Sequence, residues 1–203
     1  MAEETYLGNL SGLFRLIFLE GIEKNLWSKY IEKGLAKSFG EPILEKTEFP
    51  NIDNPEEPFC IKCKFKISDF LRQLSGQDDE FIFNPIPFNK LELSKKYIQK
   101  TQRKFPIRIN LRFSPLYLEQ QFDINIPDNF IIKDVTQNIT EESKFGKYLV
   151  KFTFNKNTLK VKQHFELFPQ EISSSDYPKF VEFCRRIDAL EKKTITLQLN
   201  RNL

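Results

Sequence analysis

The sequence predicts a mainly β fold of the α+β class: an antiparallel β-sandwich with an N-terminal helix and a second helix near the C-terminus. The first observation behind this is the stretch 105–168, which reads as four strands in a row. Ile107, Ile109, Leu111 and Phe113 alternate with Arg108, Asn110 and Arg112. Leu118, Phe122, Ile124 and Ile126 share one parity, and Tyr148, Val150, Phe152 and Phe154 share another. Leu159, Val161, Phe165 and Leu167 then alternate with Lys160, Lys162, His164 and Glu166. Period two over runs of this length marks half-buried antiparallel strands. The second observation is that an apolar stripe of helical period occurs twice, once towards each end of the chain. The third is that mostly short, turn-rich segments join the runs, as they do in a sandwich with appended helices.

Taken in order, residues 3–7 read as a short strand ended by Gly8-Asn9. Ser11 is placed as the N-cap of a helix reaching about residue 38, with Gly40 just beyond its end. Ile22, Leu26 and Tyr30 fall at steps of four, and Trp27 and Ile31 widen the stripe. Lys24, Asn25, Ser28, Lys29 and Glu32 take the other side, so the helix should lie across a sheet with Trp27 buried. Its first turns, 13–19, are almost wholly apolar and also fit a strand. Residues 42–49 form an edge strand, followed by the break Pro50-Asn51-Ile52-Asp53-Asn54-Pro55. Residues 59–67 alternate cleanly, with Lys62, Lys64 and Lys66 towards solvent. After a polar loop around Gly76, residues 81–83 return as a short strand that Pro85 and Pro87 stop.

Residues 91–103 read as a polar connector with room for a helical turn. They divide the chain into 1–90, an N-terminal helix plus β subdomain, and 91–203, a C-terminal β-sandwich with helix, unless the two form one continuous domain. Ser175-Asp176-Tyr177-Pro178 opens the second helix, a cap followed by proline in the first turn. Phe180, Phe183, Cys184, Ile187 and Leu190 give it an apolar stripe. Residues 192–199 close the chain as a strand with Ile195, Leu197 and Leu199 inward. There is no internal repeat, and the tally is two helices and about nine or ten strands.

Composition narrows the function classes. The chain has 203 residues, 40% of them hydrophobic, with 21 Phe but only 7 Gly, enough for a real core and unlike disordered or collagen-like chains. Its net charge of +3 is what remains of 31 basic and 28 acidic residues, which argues against a nucleic-acid binder. No apolar run approaches the roughly 20 residues of a membrane span. The opening Met1-Ala2-Glu3-Glu4 lacks the basic and apolar regions of a secretion signal, so the chain as given reads as soluble and unexported, or as a piece of a longer exported protein.

Few residues suggest chemistry. Cys60 and Cys63 sit on one strand at odd spacing and point to opposite faces, while Cys184 falls on a helix stripe, so all three read as structural. His164, the single histidine, shares the polar parity of Lys160, Lys162 and Glu166, and neither a Cys–His pair nor a metal set forms around it. Lys95, Lys96, Lys100, Arg103, Lys104 and Arg108, interleaved with Tyr97 and Phe105, make the most basic stretch, read as a solvated connector in preference to a phosphate site. Glu56-Glu57, Asp78-Asp79-Glu80 and Glu141-Glu142 are acidic runs in turns without the spacing of a calcium loop. Asn9-Leu10-Ser11 and Asn138-Ile139-Thr140 fit the glycosylation acceptor pattern, which matters only in a eukaryotic secretory setting. The residues therefore assign no catalytic, cofactor-binding or metal site.

The order of several motifs is more specific than any one of them. Arg103-Lys104-Phe105-Pro106 is followed by Ile126-Pro127-Asp128-Asn129-Phe130, then Ser143-Lys144-Phe145-Gly146-Lys147-Tyr148. The Asn157-Thr158-Leu159 hairpin and Tyr177-Pro178-Lys179-Phe180-Val181-Glu182-Phe183 come next. This order resembles the C-terminal domain of unknown function that follows the core in bacterial transglutaminase-like proteins. Thr5-Tyr6-Leu7-Gly8 with Arg15, and Glu57-Pro58-Phe59, resemble the segments that come after that core, so the likeness covers nearly the whole chain. The resemblance implies that the family's Cys-His-Asp triad belongs to a core absent here, that no residue of this chain inherits a catalytic role, and that the parent protein is exported.

The expected function is thus a non-catalytic accessory module, structural or positioning, whose partner is a transglutaminase-like core domain in cis or in trans. An independent protein- or carbohydrate-binding module is the alternative, and an enzyme of unrecognised type is the third. If the resemblance holds, apolar groups at the start of the first helix, such as Leu13 or Phe14, should stay exposed.

Overall fold

The structure is a computed structural model that describes residues 2–6, 8–39, 41–68, 70–86, 90–109, 117–134 and 137–200. In chain order its elements are β1 (Ala2–Tyr6), α1 (Gly8–Leu16), α2 (Trp27–Phe39), β2 (Ile43–Glu48), β3 (Phe59–Lys66), β4 (Arg72–Gln73) and β5 (Glu80–Phe83). These are followed by α3 (Leu93–Tyr97), β6 (Ile107–Arg108), β7 (Tyr117–Asn125), β8 (Phe130–Ile132), β9 (Ile139–Ser143), β10 (Gly146–Asn155), β11 (Thr158–Leu167), β12 (Glu171–Ile172), α4 (Tyr177–Leu190) and β13 (Ile195–Leu199). The fold is mainly β, as the sequence predicts, and every described strand pairing is antiparallel.

A seven-stranded sheet in the order β2-β3-β1-β7-β11-β10-β9 carries the fold. A four-stranded sheet, β4-β5-β13-β8, and a two-stranded pair, β12-β6, complete it. Both larger sheets join residues from either side of position 90, because β1 lies between β3 and β7 and β5 pairs with β13. Register across β1 puts Cys63 and Phe122 on one face of the large sheet, the face that carries both apolar clusters.

The larger cluster fills the space between that face, α4 and the four-stranded sheet. Tyr148, Val150, Val161 and Phe165 of the strands meet Phe180, Phe183, Cys184 and Ile187 of α4, all 1% exposed or less. Phe145 sits edge-on to Phe180 with centroids 5.4 Å apart. Burying each such side chain contributes about 1.5–3 kcal/mol, which explains why the alternation of β10 and β11 and the stripe of α4 were so regular. Pro178 stands in the first turn of α4, as expected. Asp176, however, makes no side-chain cap; its carboxylate pairs with Lys144 at 2.7 Å, and Ser173 Oγ accepts from the Asp176 N–H.

Several expectations fail, each for a local reason. The N-terminal helix is not continuous from 11 to 38. After α1 comes a π-helical turn, Ile17–Gly21, then extended Ile22, a 3-10 turn at Lys24–Leu26, and α2. The break lets the Trp27 indole donate to the Ile22 carbonyl at 3.0 Å. It also rotates the stripe: Phe18, Trp27 and Leu35 are buried, whereas Leu26 and Tyr30, placed inward from their spacing, face out. Ser11 is not an N-cap, because the helix starts at Gly8. Its buried Oγ accepts instead from Arg15 at 2.6 Å and from the Phe59 N–H at 2.9 Å.

The strand expected over 107–113 is described only as β6, and Leu111 and Phe113 lie outside the described residues. Phe152 is only partly buried and Phe154 is exposed, because β10 runs out past the edge of the core while keeping its alternation. Glu141 and Glu142 lie in β9 and Glu80 in β5, not in turns. Residues 91–103 are not a solvated connector throughout, since Leu91 and Leu93 are buried against the end of α4. Among the described residues there are four α-helices where two were expected, the extra ones being the second half of the N-terminal segment and the short α3.

Candidate interaction surface

The sequence candidates for chemistry do not assemble. His164 lies on the solvent side of β11, with Nδ1 3.5 Å from a Glu119 carboxylate oxygen and its ring edge-on to Tyr117 at 4.9 Å. Burial, aided by Glu119 and Glu166, pushes the Tyr117 hydroxyl up to about 12. Cys60 shares the cross-strand row of His164, but β1 and β7 stand between, with register Cys60–Thr5–Glu119–His164. At about 4.8 Å per strand, the two are too far apart to act as a pair. Cys63 is buried on the opposite face of the same strand, and Cys184 is buried under α4, where desolvation pushes its thiol up to about 12. Among the described residues, no group of three His, Cys, Asp or Glu side chains is arranged to hold a metal.

Half of the basic stretch has a partner. Lys95 pairs with Glu92 at 3.0 Å, Arg108 with Glu171 at 2.8 Å, and the Arg103 guanidinium lies 5.3 Å from the Tyr177 ring centre. Tyr97 packs against Phe180, while Phe105 is exposed. Glu45 is drawn down to about 2 by hydrogen bonds from Lys66 and Lys64, so part of the outward lysine row of β3 is compensated too. A shallow concavity of about 770 Å³ covers the outer face of the large sheet; Thr5, Thr140, Leu149, Lys151, Lys162 and His164 line it.

The feature that stands apart lies on the N-terminal helices. Their inner side is an aromatic cluster: Phe18 contacts Phe59 at 5.7 Å, Trp27 at 5.8 Å and Phe49 at 4.9 Å between centroids, and the half-exposed Tyr30 meets it edge-on from the rim at 5.5 Å. Arg15 clamps the 51–57 turn beneath the helix, donating to the Asn51 carbonyl at 3.0 Å and to the Glu57 carbonyl, with Phe59 under its guanidinium. With Phe14, Arg15 and Phe18 committed inward, Leu13, Leu16 and Leu19 necessarily face out at steps of three. They are 50%, 51% and 48% exposed, and Leu26 and Tyr30 add 43% and 47%. Leu13 is exposed as the resemblance required, but Phe14 is half-buried and stacked on Phe59 at 5.9 Å. The sequence signal for this ridge was the almost wholly apolar run 13–19, which a single inward stripe could not absorb.

Fold and surface together define a β-rich module with an outward apolar ridge. The chain belongs to the family described as a domain of unknown function with a solved structure (DUF3858), whose model matches residues 79–197, more than half of the chain. That match runs from the polar loop before β5 into β13, and the ridge lies outside it. No curated protein matches the chain significantly. Among solved structures, the chain is similar to a crystal structure from Parabacteroides distasonis ATCC 8503 described as "a putative protease", with 16% identity and a TM-score of 0.48. The likeness covers 61% of this chain and 24% of that one, so the matched part spans about a quarter of the other protein's length.

Proposed function

We propose that this chain is a non-catalytic accessory module that packs through the ridge of Leu13, Leu16 and Leu19 onto a transglutaminase-like core and orients or supports it. The observation that carries the reading is this row of half-exposed leucines on a helix whose other side is rigidly anchored. Large apolar side chains in a row on a soluble surface mark contact sites. The choice of partner rests on the resemblance carried by the ordered motifs from Arg103 to Phe183, with Thr5-Tyr6-Leu7-Gly8 in front. The ridge follows directly on β1, so a core joined through that segment would lie beside it. Covering the exposed half of five such side chains is worth about 1 kcal/mol each, too little for tight binding in trans but sufficient for a tethered domain.

Titrating the isotopically labelled protein with a separately produced transglutaminase-like core from the same organism tests the reading. The expected result is weak binding, with chemical-shift changes clustered on residues 11–30. No change at millimolar core would overturn it. The alternative of a carbohydrate-binding module draws no support from the described aromatic residues: the exposed rings of Tyr30, Phe105 and Phe154 sit on α2, in the bend before β6 and on β10.

A further inference from the structure

Glu191, which closes α4, is a carboxylate only 2% exposed. Its oxygens accept from the Leu91 N–H at 3.1 and 3.0 Å, and Oε1 also accepts from Gln163 Nε2 at 3.0 Å. Gln163 is 1% exposed, on the core side of β11, and its Nε2 is also 3.4 Å from the Tyr148 hydroxyl. Gln163 Oε1 has no hydrogen-bond partner among the described residues. One turn back along α4, Asp188 accepts from the Leu93 N–H at 2.8 Å and the Ser94 N–H at 2.9 Å. Asn84 Nδ2 adds a bond to the Glu191 carbonyl at 2.7 Å.

Between the gripped amides of Leu91 and Leu93, Glu92 has φ 46 and ψ 45. Non-glycine residues hold this left-handed conformation only where their surroundings impose it. The segment 91–94 is therefore a strained strap fastened to α4 by two carboxylates.

Among the described residues, the cluster leaves one acceptor unpartnered and holds no counter-cation. The groups facing Glu191 are Asp188 of its own helix, Tyr148 of β10, Gln163 of β11 and the backbone of the strap, while Lys90, Glu92 and Lys192 are exposed. A buried carboxylate without a positive partner favours its neutral form. Burial pushes Glu191 up to about 7, with the bonds from Leu91 and Gln163 pulling the other way and Asp188 adding to the rise. A proton here removes the charge from a cluster that also holds an orphan acceptor.

We propose that Glu191 is a proton-operated latch: protonated, it holds the 91–97 segment on α4, and on losing its proton it releases that segment while the β core stays folded. The sign follows from linkage. Closed, the group titrates near 7; open and hydrated, it returns to the ordinary value of 4.5. Between those limits the closed form binds more protons, so the opening equilibrium rises about tenfold per pH unit and levels off above the upper one. The latch is tight in acid and loosens towards neutral pH, baring Leu91 and Leu93. This inference is independent of the partner proposed above.

Amide exchange and carboxyl carbon shifts, followed by NMR on the full chain between pH 5 and 8, test it. The Glu191 carboxyl should titrate near 7. After correction for intrinsic base catalysis, the opening of Leu91, Leu93 and Ser94 should rise about tenfold per pH unit below that midpoint, while Val161 and Phe165 stay protected. Glu191→Gln should flatten the profile. A carboxyl that titrates near 4.5, an equal pH profile in Glu191→Gln, or Val161 exchanging in step with Leu91 would each overturn the latch. The carboxyl titration needs no variant, so the test survives even if Glu191→Gln does not fold.

Discussion

Two helical layers cover the same face of the seven-stranded sheet, and they cover it differently. α4 is one unbroken helix, with Phe180, Phe183, Cys184 and Ile187 fully buried; its outward side carries charged groups such as Glu182 and Arg186, the latter bonded to Glu141 at 3.0 Å. The N-terminal layer is broken at Ile22, buries an equally aromatic set around Phe18, and presents leucines outward as well. Phe65 packs against both clusters, so they are neighbours under one sheet and not separate cores. The difference teaches that burial beneath a helix says nothing about what lies above it. α4 is finished as a surface, whereas the N-terminal layer has apolar groups on both sides, as expected of a layer sandwiched between its own sheet and another body.

The largest effects should make the two regions look alike. Phe180→Ala and Phe18→Ala each empty a fully buried position and should cost about 3–5 kcal/mol in urea unfolding. If Phe18→Ala cost much less, the N-terminal cluster would be a loosely attached layer. Gly146→Ala should cost about 1–3 kcal/mol, because a Cβ there would run into the Glu166 carbonyl oxygen across the β10–β11 pair. A lowered urea midpoint with an unchanged slope is the expected signature. Phe152→Ala, at the rim of the core, should fall near 1–2 kcal/mol, well short of the fully buried phenylalanines. The smallest stability effect should come from Leu16→Ser, within about 0.5 kcal/mol, although it should weaken binding of the proposed transglutaminase-like core about fivefold, the loss of roughly 1 kcal/mol. His164→Ala should likewise leave the midpoint nearly unchanged, and a shift as large as that of Phe152→Ala would mean that the polar face of β11 contributes to the core.

The sheet was legible because alternation is set by burial on one side, and β7, β10 and β11 are long enough to display it. Their inward parity matches the structure, but Phe152 and Phe154 overrun the core, and two buried polar residues hold inward positions: Gln120 on β7 and, on β11, Gln163, which is not apolar. It was passed over for that reason, and with it the buried polar group that reaches Glu191. Short strands such as β4, β8 and β12 offer too few residues for any period to register. The N-terminal helix was misjudged because steps of four were counted through Ile22, where the backbone is extended and the phase restarts. The leucine ridge was visible as an excess of apolar residues, but its outward direction depended on Arg15 and Phe18 being fixed by the 51–57 turn, which only tertiary structure reveals. The ends of the strap at residues 91–94 looked polar because its gripping groups, Asp188 and Glu191, lie about a hundred residues away.

The placement of β1 has a consequence for the order of assembly. The strand nearest the start of the chain hydrogen-bonds on one side to β3 and on the other to β7, with Ala2 opposite both Cys63 and Phe122. Its second neighbour is therefore not synthesised until more than a hundred residues later. A sheet that waits for such a distant partner carries a large loop-closure cost and folds slowly, and until then the edge of β1 is open to mispairing. Emergence from the ribosome cannot by itself complete this protein in order; the two halves must close on β1 together, and a chaperone that shields residues 2–6 should raise the yield of native sheet more than one that shields β13.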